Sequence, residues 1–383
     1  MYYLRWIVFS VWVSLLWLAP AFAAEELKQL LQQLMAVPTI QTTSGFTSKV
    51  LVPPGSFYDP FDLHTHGSTL LVSDDGKEEG EKGGQIFRID AKGHVSVTVG
   101  LGKLLPPIAL DVAPSSFGAF AGQIFTVAFA RPDAEAGFLV PNVIQRIPPP
   151  TGKVSNACTL PQNAAGQPGA GGFFLRFGPE GSLFAGTLFI TAATNQTLYT
   201  MAPDGTCTPF VTIDMQKWGY PTDLTFTPDG RTMLVGTAQP ETNDPAGPPK
   251  RGAGKILRVS PEGVVADEPY VTGLDQPCGM LFAPEGFGQY GGQLIVVDSG
   301  DFNSPVPMTQ PVKRDGRLFR VTPAGELTLM ASGFANPTGV AFLGNRLVVS
   351  DINGDFHVGQ RELPDGFVVT IEARESVIPT QRR

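Results

Sequence analysis

Three features of the sequence predict an all-β chain folded as a six-bladed β-propeller. A strand-sized motif, led by Pro or Gly and carrying apolar residues two apart, recurs six times. Each copy is followed by further strand-like runs separated by turn residues, giving units of roughly fifty residues. The composition agrees: 44 Gly and 35 Pro with only 16% charged residues suit short strands and tight turns. Helices would draw instead on Ala, Leu, Glu and Lys.

The innermost strand of each unit reads "DPFDLHTHG" from Asp59, "PPIALDVAP" from Pro106, "GGFFLRFGPEG" from Gly171, "YPTDLTFTPDG" from Tyr220, "QPCGMLFAPEG" from Gln276 and "NPTGVAFLGN" from Asn336. Leu63, Leu110, Leu175, Leu224, Met280 and Val340 hold equivalent apolar positions, and alternation at period two marks strands rather than helices. Second strands follow ("TLLVSD", "GQIFTVAFA", "GTLFITAAT", "TMLVGTA", "GQLIVVDSG", "RLVVSD"), then third strands such as "GQIFRID" and "GRLFRVTP". Fourth strands follow D-G, E-G, T-G or K-G turns, whose glycines supply the positive φ of tight hairpins. The last unit lacks a fourth strand, while an orphan strand, "GFTSKVLVPPG", precedes the first. That N-terminal strand is expected to close the last blade, which removes an exposed sheet edge.

The sequence divides into a signal peptide at 1–23, a helix and linker at 24–44, the propeller at 45–378 and a tail at 379–383. The leader has one early positive charge at Arg5, an apolar run and Ala21-Phe22-Ala23, the layout of a cleavable export signal. An uncleaved anchor is the alternative, its apolar run slightly short of a span. In "EELKQLLQQLMAV", Leu27, Leu30, Leu31, Leu34 and Met35 form one helical stripe. The formal charge is −8, and the loss of Arg5 with the leader takes it to −9. Such an acidic chain excludes the basic footprint that nucleic acid or an anionic membrane requires. Export, to periplasm or beyond the cell, permits a disulfide. Of the three cysteines, Cys158 and Cys207 fall on outer-strand or linker positions and make the natural pair, leaving Cys278 over.

Loops from second to third strand carry the extra residues, including "QPETNDPAGPPKRGAG" and "DSGDFNSPVPMTQPVKRDG". Long loops on one rim of a rigid scaffold are where a protein, peptide or small-molecule ligand is expected. The central channel is the second candidate. Alternate inner-strand positions read Asp62, His64, His66; Ala109, Asp111; Phe174, Arg176; Asp223, Thr225, Thr227; Gly279, Leu281; Gly339, Ala341. Asp62 and Asp223 share a register in blades 1 and 4, opposite each other in a six-fold ring. Two such carboxylates suit a divalent cation, Ca²⁺ first, which would polarise a carbonyl with His64 as base. Alternatively, Asp111 and Arg176 form a satisfied pair in a wet channel. Cys278 is either a nucleophile at the channel mouth or a buried small residue. Asp74, Asp298 and Asp351 recur after second strands, where capping of the hairpin turn is expected.

The P-x-G start of "NPTGVAF", the "LVVSD" second strand and the "GRLFRVTPAGE" turn resemble NHL-repeat propellers and the wider SMP-30/gluconolactonase superfamily. The resemblance covers about residues 45 to 375. It implies the six-bladed fold, and either a binding role on the long-loop face or a metal-dependent lactone or ester hydrolase. Members of the latter group place Asn or Asp, with a Glu in the first blade, directly after the leading Pro. This chain reads Phe61, Ile108, Phe173, Thr222, Cys278 and Thr338 there, and Asp62 and Asp223 stand one residue later. A quinone-cofactor dehydrogenase shares the shape, but no cofactor set for it is recognisable.

Overall fold

The computed structural model describes residues 39–76, 84–128, 131–133, 137–139, 143–149, 152–166, 172–241, 249–300, 313–352 and 364–374. The leader expected at 1–23, the helical stripe at 25–37, most of the long second-to-third-strand loops and the tail lie outside them.

Among the described residues the strands form six antiparallel blades and one two-stranded hairpin, Arg131–Asp133 with Gly137–Leu139. The inner strands are Pro60–His66, Pro107–Val112, Gly172–Phe177, Tyr220–Phe226, Pro277–Phe282 and Pro337–Leu343, one for each sequence repeat. Blade 6 is completed from the N-terminus: Phe46–Phe57 pairs antiparallel with Gly366–Ala373, Phe46 opposite Ala373 and Val50 opposite Val369. The ring therefore closes as the orphan strand predicts.

Blade 5 departs from the four-strand plan. Gln41–Thr42, placed in a linker by the sequence reading, adds a fifth strand to its outer edge opposite Ser332 and Ala331. The N-terminal chain is thus the outermost strand of two successive blades. Phe46 fixes the turn between them, its ring 4.7 Å from Tyr290 of blade 5.

The alternating apolar positions pack between blades. Leu63, Leu70 and Val72 of blade 1 share one buried cluster with Ala341, Leu343 and Val348 of blade 6. Side-chain hydroxyls join neighbouring blades at the ring's inner edge. Ser73 Oγ accepts the Asp62 N–H (3.0 Å) and donates to Ile108 O of blade 2 (3.3 Å). Thr191 repeats this between Phe174 N–H (2.9 Å) and Thr222 O of blade 4 (2.7 Å). The outer strands of blades 2 and 3 are joined by the disulfide Cys158–Cys207.

Every inner strand also carries a register shift near its start, for example between Pro60 and Asp62 and between Pro277 and Gly279. A bulge adds a residue to one strand and re-aims the side chains beside it. At Gly279 the inner strand runs close to the next: a Cβ there would lie 2.5 Å from Thr338 O of blade 6. This explains why blade 5 has glycine where blades 1 and 4 have aspartate.

Candidate functional site in the central channel

The channel side chains form two levels. The level nearer the strand starts, Asp62, Ala109, Phe174, Asp223, Gly279 and Gly339, is buried throughout. At the next level, towards the hairpins, His64, Arg176, Thr225 and Leu281 are half-buried, while Asp111 and Ala341 are buried. Beyond them His66 is exposed and Thr227 half-buried. At the strand-start end Phe61, Ile108, Phe173, Phe174, Tyr220 and Cys278 belong to one buried apolar cluster. Water therefore reaches the polar side chains from the hairpin face, opposite the long loops.

Asp62 and Asp223 are both drawn to Arg176. The guanidinium makes a two-point pair with Asp62, Nη1 to Oδ2 at 2.8 Å and Nη2 to Oδ1 at 2.9 Å. Its Nη2 lies 3.8 Å from Asp223 Oδ1. Both carboxylates also join blades: Asp62 Oδ2 accepts the Leu110 N–H of blade 2 (3.0 Å), and Asp223 Oδ2 accepts the Met280 N–H of blade 5 (2.7 Å). Asp62 Oδ1 further accepts the Leu63 N–H (2.9 Å). Burial pushes Asp223 up to about 7, against the pull of Arg176 and with the help of the Asp62 charge. For Arg176 burial opposes the charge, but Asp62 and Asp223 outweigh it and hold its pKa above the ordinary guanidinium value.

These contacts test the expected cation site. Each Asp62 oxygen already accepts two hydrogen bonds, and a guanidinium occupies the space the two carboxylates share. Among the described residues no three His, Cys, Asp or Glu side chains converge as a metal-binding group. The side chains present do not fit a resident divalent cation.

His64 occupies the open level, with Nδ1 2.9 Å from Asp111 Oδ1. Asp111 is anchored in turn by the Val112 N–H (2.7 Å) and by the Phe177 N–H of blade 3 (2.8 Å). Burial raises the Asp111 pKa, but the facing His64 outweighs it and holds the carboxyl below its usual range. Asp111 thus takes His64, not Arg176, as its main partner. The arrangement fixes the imidazole's orientation and turns Nε2 away from the carboxylate, the geometry of an oriented hydrogen-bond acceptor or base. The pKa of His66, further out, is lowered by partial burial and by the Arg88 and His64 charges.

Other sequence candidates lie elsewhere. Cys278 is fully buried, and burial pushes its thiol well above the ordinary range, which disfavours a nucleophile. Asp74 caps the turn after its second strand as expected, its Oδ1 accepting the Gly76 N–H (2.9 Å). Asp74, Asp298 and Asp351 also grip the chain leading into their own blade's inner strand: Asp74 accepts from the Tyr58 and Asp59 N–H groups, Asp298 from Asp275 and Gln276, and Asp351 from Ala335 and Asn336. Near Asp298 an ion-pair network joins Arg317 to Asp298 and Asp275 (2.7 and 2.8 Å), and Arg251 to Asp275 and Asp315 (2.8 and 2.9 Å).

No protein-family profile matches the chain, and no curated protein matches it in sequence. Solved structures share the propeller. A protein provisionally named a gluconolactonase superposes with a TM-score of 0.56 at 13% identity, over 88% of this chain and 98% of that one. The PQQ-bound aldose sugar dehydrogenase of Streptomyces coelicolor gives 0.55 at 14% identity, over 87% and 100%. A provisionally named glucose dehydrogenase of Thermus thermophilus gives 0.53 at 16%, over 85% and 100%. At these identities the likeness establishes a common six-bladed fold and leaves the chemistry to the residues of this chain.

Proposed function

We propose that this chain is an exported binding propeller that takes a small polar ligand into the hairpin-side mouth of its channel, against His64. The observation that carries the reading is the oriented His64–Asp111 pair at a channel level that combines fixed polar side chains with solvent access. That level is two-sided: His64, Asp111, Arg176 and Thr225 supply polar groups from blades 1 to 4, and Leu281 and Ala341 an apolar wall from blades 5 and 6. A recess with a few fixed polar groups against an apolar wall is the common form of a small-molecule site. The Cys158–Cys207 disulfide supports export, since such bonds persist in oxidising compartments. Binding on the long-loop rim is the competing placement.

A thermal-shift screen of the mature protein against small polar metabolites tests the placement, repeated with His64→Ala and with Arg251→Ala on the opposite face. A ligand whose stabilisation is lost in His64→Ala and kept in Arg251→Ala supports the channel mouth. The reverse pattern moves the site to the long-loop rim and overturns the reading.

A further inference from the structure

We propose that the Arg176 guanidinium holds the place of a metal ion between Asp62 and Asp223, so that the channel works without a resident cation and conceals a latent cation site. The inference stands independently of the ligand-binding reading above.

Three observations carry it. First, two fully buried carboxylates come together from non-adjacent blades, an arrangement that needs a compensating positive charge. Arg176, from the inner strand of blade 3, supplies it with a two-point pair to one and a 3.8 Å approach to the other. Second, the acceptor capacity is spent. Asp62 receives two guanidinium and two backbone N–H groups, and Asp223 Oδ2 receives the Met280 N–H. Only Asp223 Oδ1 lacks a hydrogen bond, and it faces Arg176. A Ca²⁺ ion takes roughly six to eight oxygens at about 2.3–2.6 Å and would also lie against a fixed positive charge. Third, the carboxylates have a structural task that fixes them in the sequence: each accepts a backbone N–H from the next blade. The guanidinium neutralises them where they stand.

Replacing the guanidinium with an apolar side chain of similar length leaves the carboxylates facing an uncharged gap, and an added cation should then bind. The experiment is elemental analysis of the mature protein purified without chelators, together with melting curves in millimolar CaCl₂, MnCl₂ or ZnCl₂. The wild type should carry substoichiometric metal and show no cation-dependent shift. Arg176→Met should melt lower and regain about 4 °C from one of these ions at a hundredfold excess over its Kd. The gain should vanish in Arg176→Met/Asp223→Asn. Stoichiometric metal in the wild type, removed by EDTA with a fall in Tm, overturns the inference. So does a folded Arg176→Met protein indifferent to all three cations. If Arg176→Met does not fold, Arg176→Lys keeps one charge in place: indifference to cations like that expected of the wild type supports the inference, and stoichiometric metal in Arg176→Lys, removed by EDTA with a fall in Tm, defeats it.

Discussion

Asp62 and Arg176, 114 residues apart in the sequence, meet in a two-point ion pair at 2.8 and 2.9 Å. The pair joins blade 1 to blade 3 past the blade between them. The other inter-blade contacts near the channel, such as Ser73 to Ile108 O, link only neighbours. This one contact therefore couples parts of the ring that no hairpin connects.

The first prediction follows from that coupling. Removing one member of a buried pair leaves an uncompensated charge, which costs about 3–5 kcal/mol. Asp62→Asn and Arg176→Met should each destabilise by that order, and the double variant by clearly less than the sum. Urea unfolding of the four proteins gives the coupling directly. Additive effects would show that the pair is not energetically linked.

The second concerns His64. With Asp111 accepting from Nδ1, the neutral imidazole should hold its proton on Nδ1 and leave Nε2 bare, a tautomer that ¹⁵N NMR distinguishes. Asp111→Asn should release this preference and cost about 1–3 kcal/mol at neutral pH, since the Phe177 N–H also loses a charged acceptor. The sign with pH follows from the lowered Asp111 pKa. Its stabilisation is complete above the unfolded carboxyl value of about 4 and disappears as pH falls through the lower folded value.

How much of this the sequence reveals depends on the range of the interaction. Alternation of Leu63, Leu110, Leu175 and their equivalents is local, and it specifies inner strands, blade number and the closure by 46–57. Arg176 is also legible as a channel residue, but its partner is not. The carboxylates of the adjacent blades are Asp111 and Asp223, and only the closed ring with its bulged inner strands brings Asp62 nearer than either. Asp74, Asp298 and Asp351 show the same limit: their positions repeat visibly, yet the N–H groups that they grip lie in irregular chain just before the inner strands, 15 to 23 residues away in the sequence. Nor does alternation reveal which end of the channel is wet, because that depends on how Phe61, Ile108, Phe173 and Cys278 pack together.

The third prediction addresses the inter-blade disulfide. Cys158 and Cys207 are 49 residues apart, and closing a loop of that length stabilises by about 4 kcal/mol in the chain-entropy picture. Cys158→Ser/Cys207→Ser should lose stability of that order, and reductant should lower the wild-type urea midpoint but leave the variant unchanged. Equal midpoints for wild type and variant without reductant would contradict the bond.

The fourth concerns ring closure. Phe46 is almost fully buried and stacks on Tyr290 and Phe287 of blade 5 while its strand completes blade 6. Phe46→Ala should cost about 3–5 kcal/mol, the usual penalty for emptying a large aromatic site. Hydrogen exchange should rise first in Gly366–Ala373, the strand paired with Phe46–Phe57. Faster exchange confined to blades 2 and 3 would argue against a closure held at this point.

The last prediction reads buried carboxylates as a pH response. Asp74 is raised to about 7, chiefly by burial and by the neighbouring Asp75 charge, against the N–H groups that favour its ionised form. In the unfolded chain it ionises near pH 4. Between these values the folded state keeps a proton that the unfolded state has lost, so stability falls as pH rises through the window. Asp298, also raised by burial, acts in the same direction. Asp111 acts oppositely, but only below about pH 4, so it does not mask the trend. The wild-type urea midpoint should therefore decline from about pH 4.5 to about pH 7.5. Asp74→Asn, which cannot ionise, should flatten the decline by up to about 4 kcal/mol. A midpoint that rises across this range, or an Asp74→Asn protein with the wild-type slope, would show that Asp74 is already ionised in the folded propeller at acidic pH, held so by the Tyr58, Asp59 and Gly76 N–H groups.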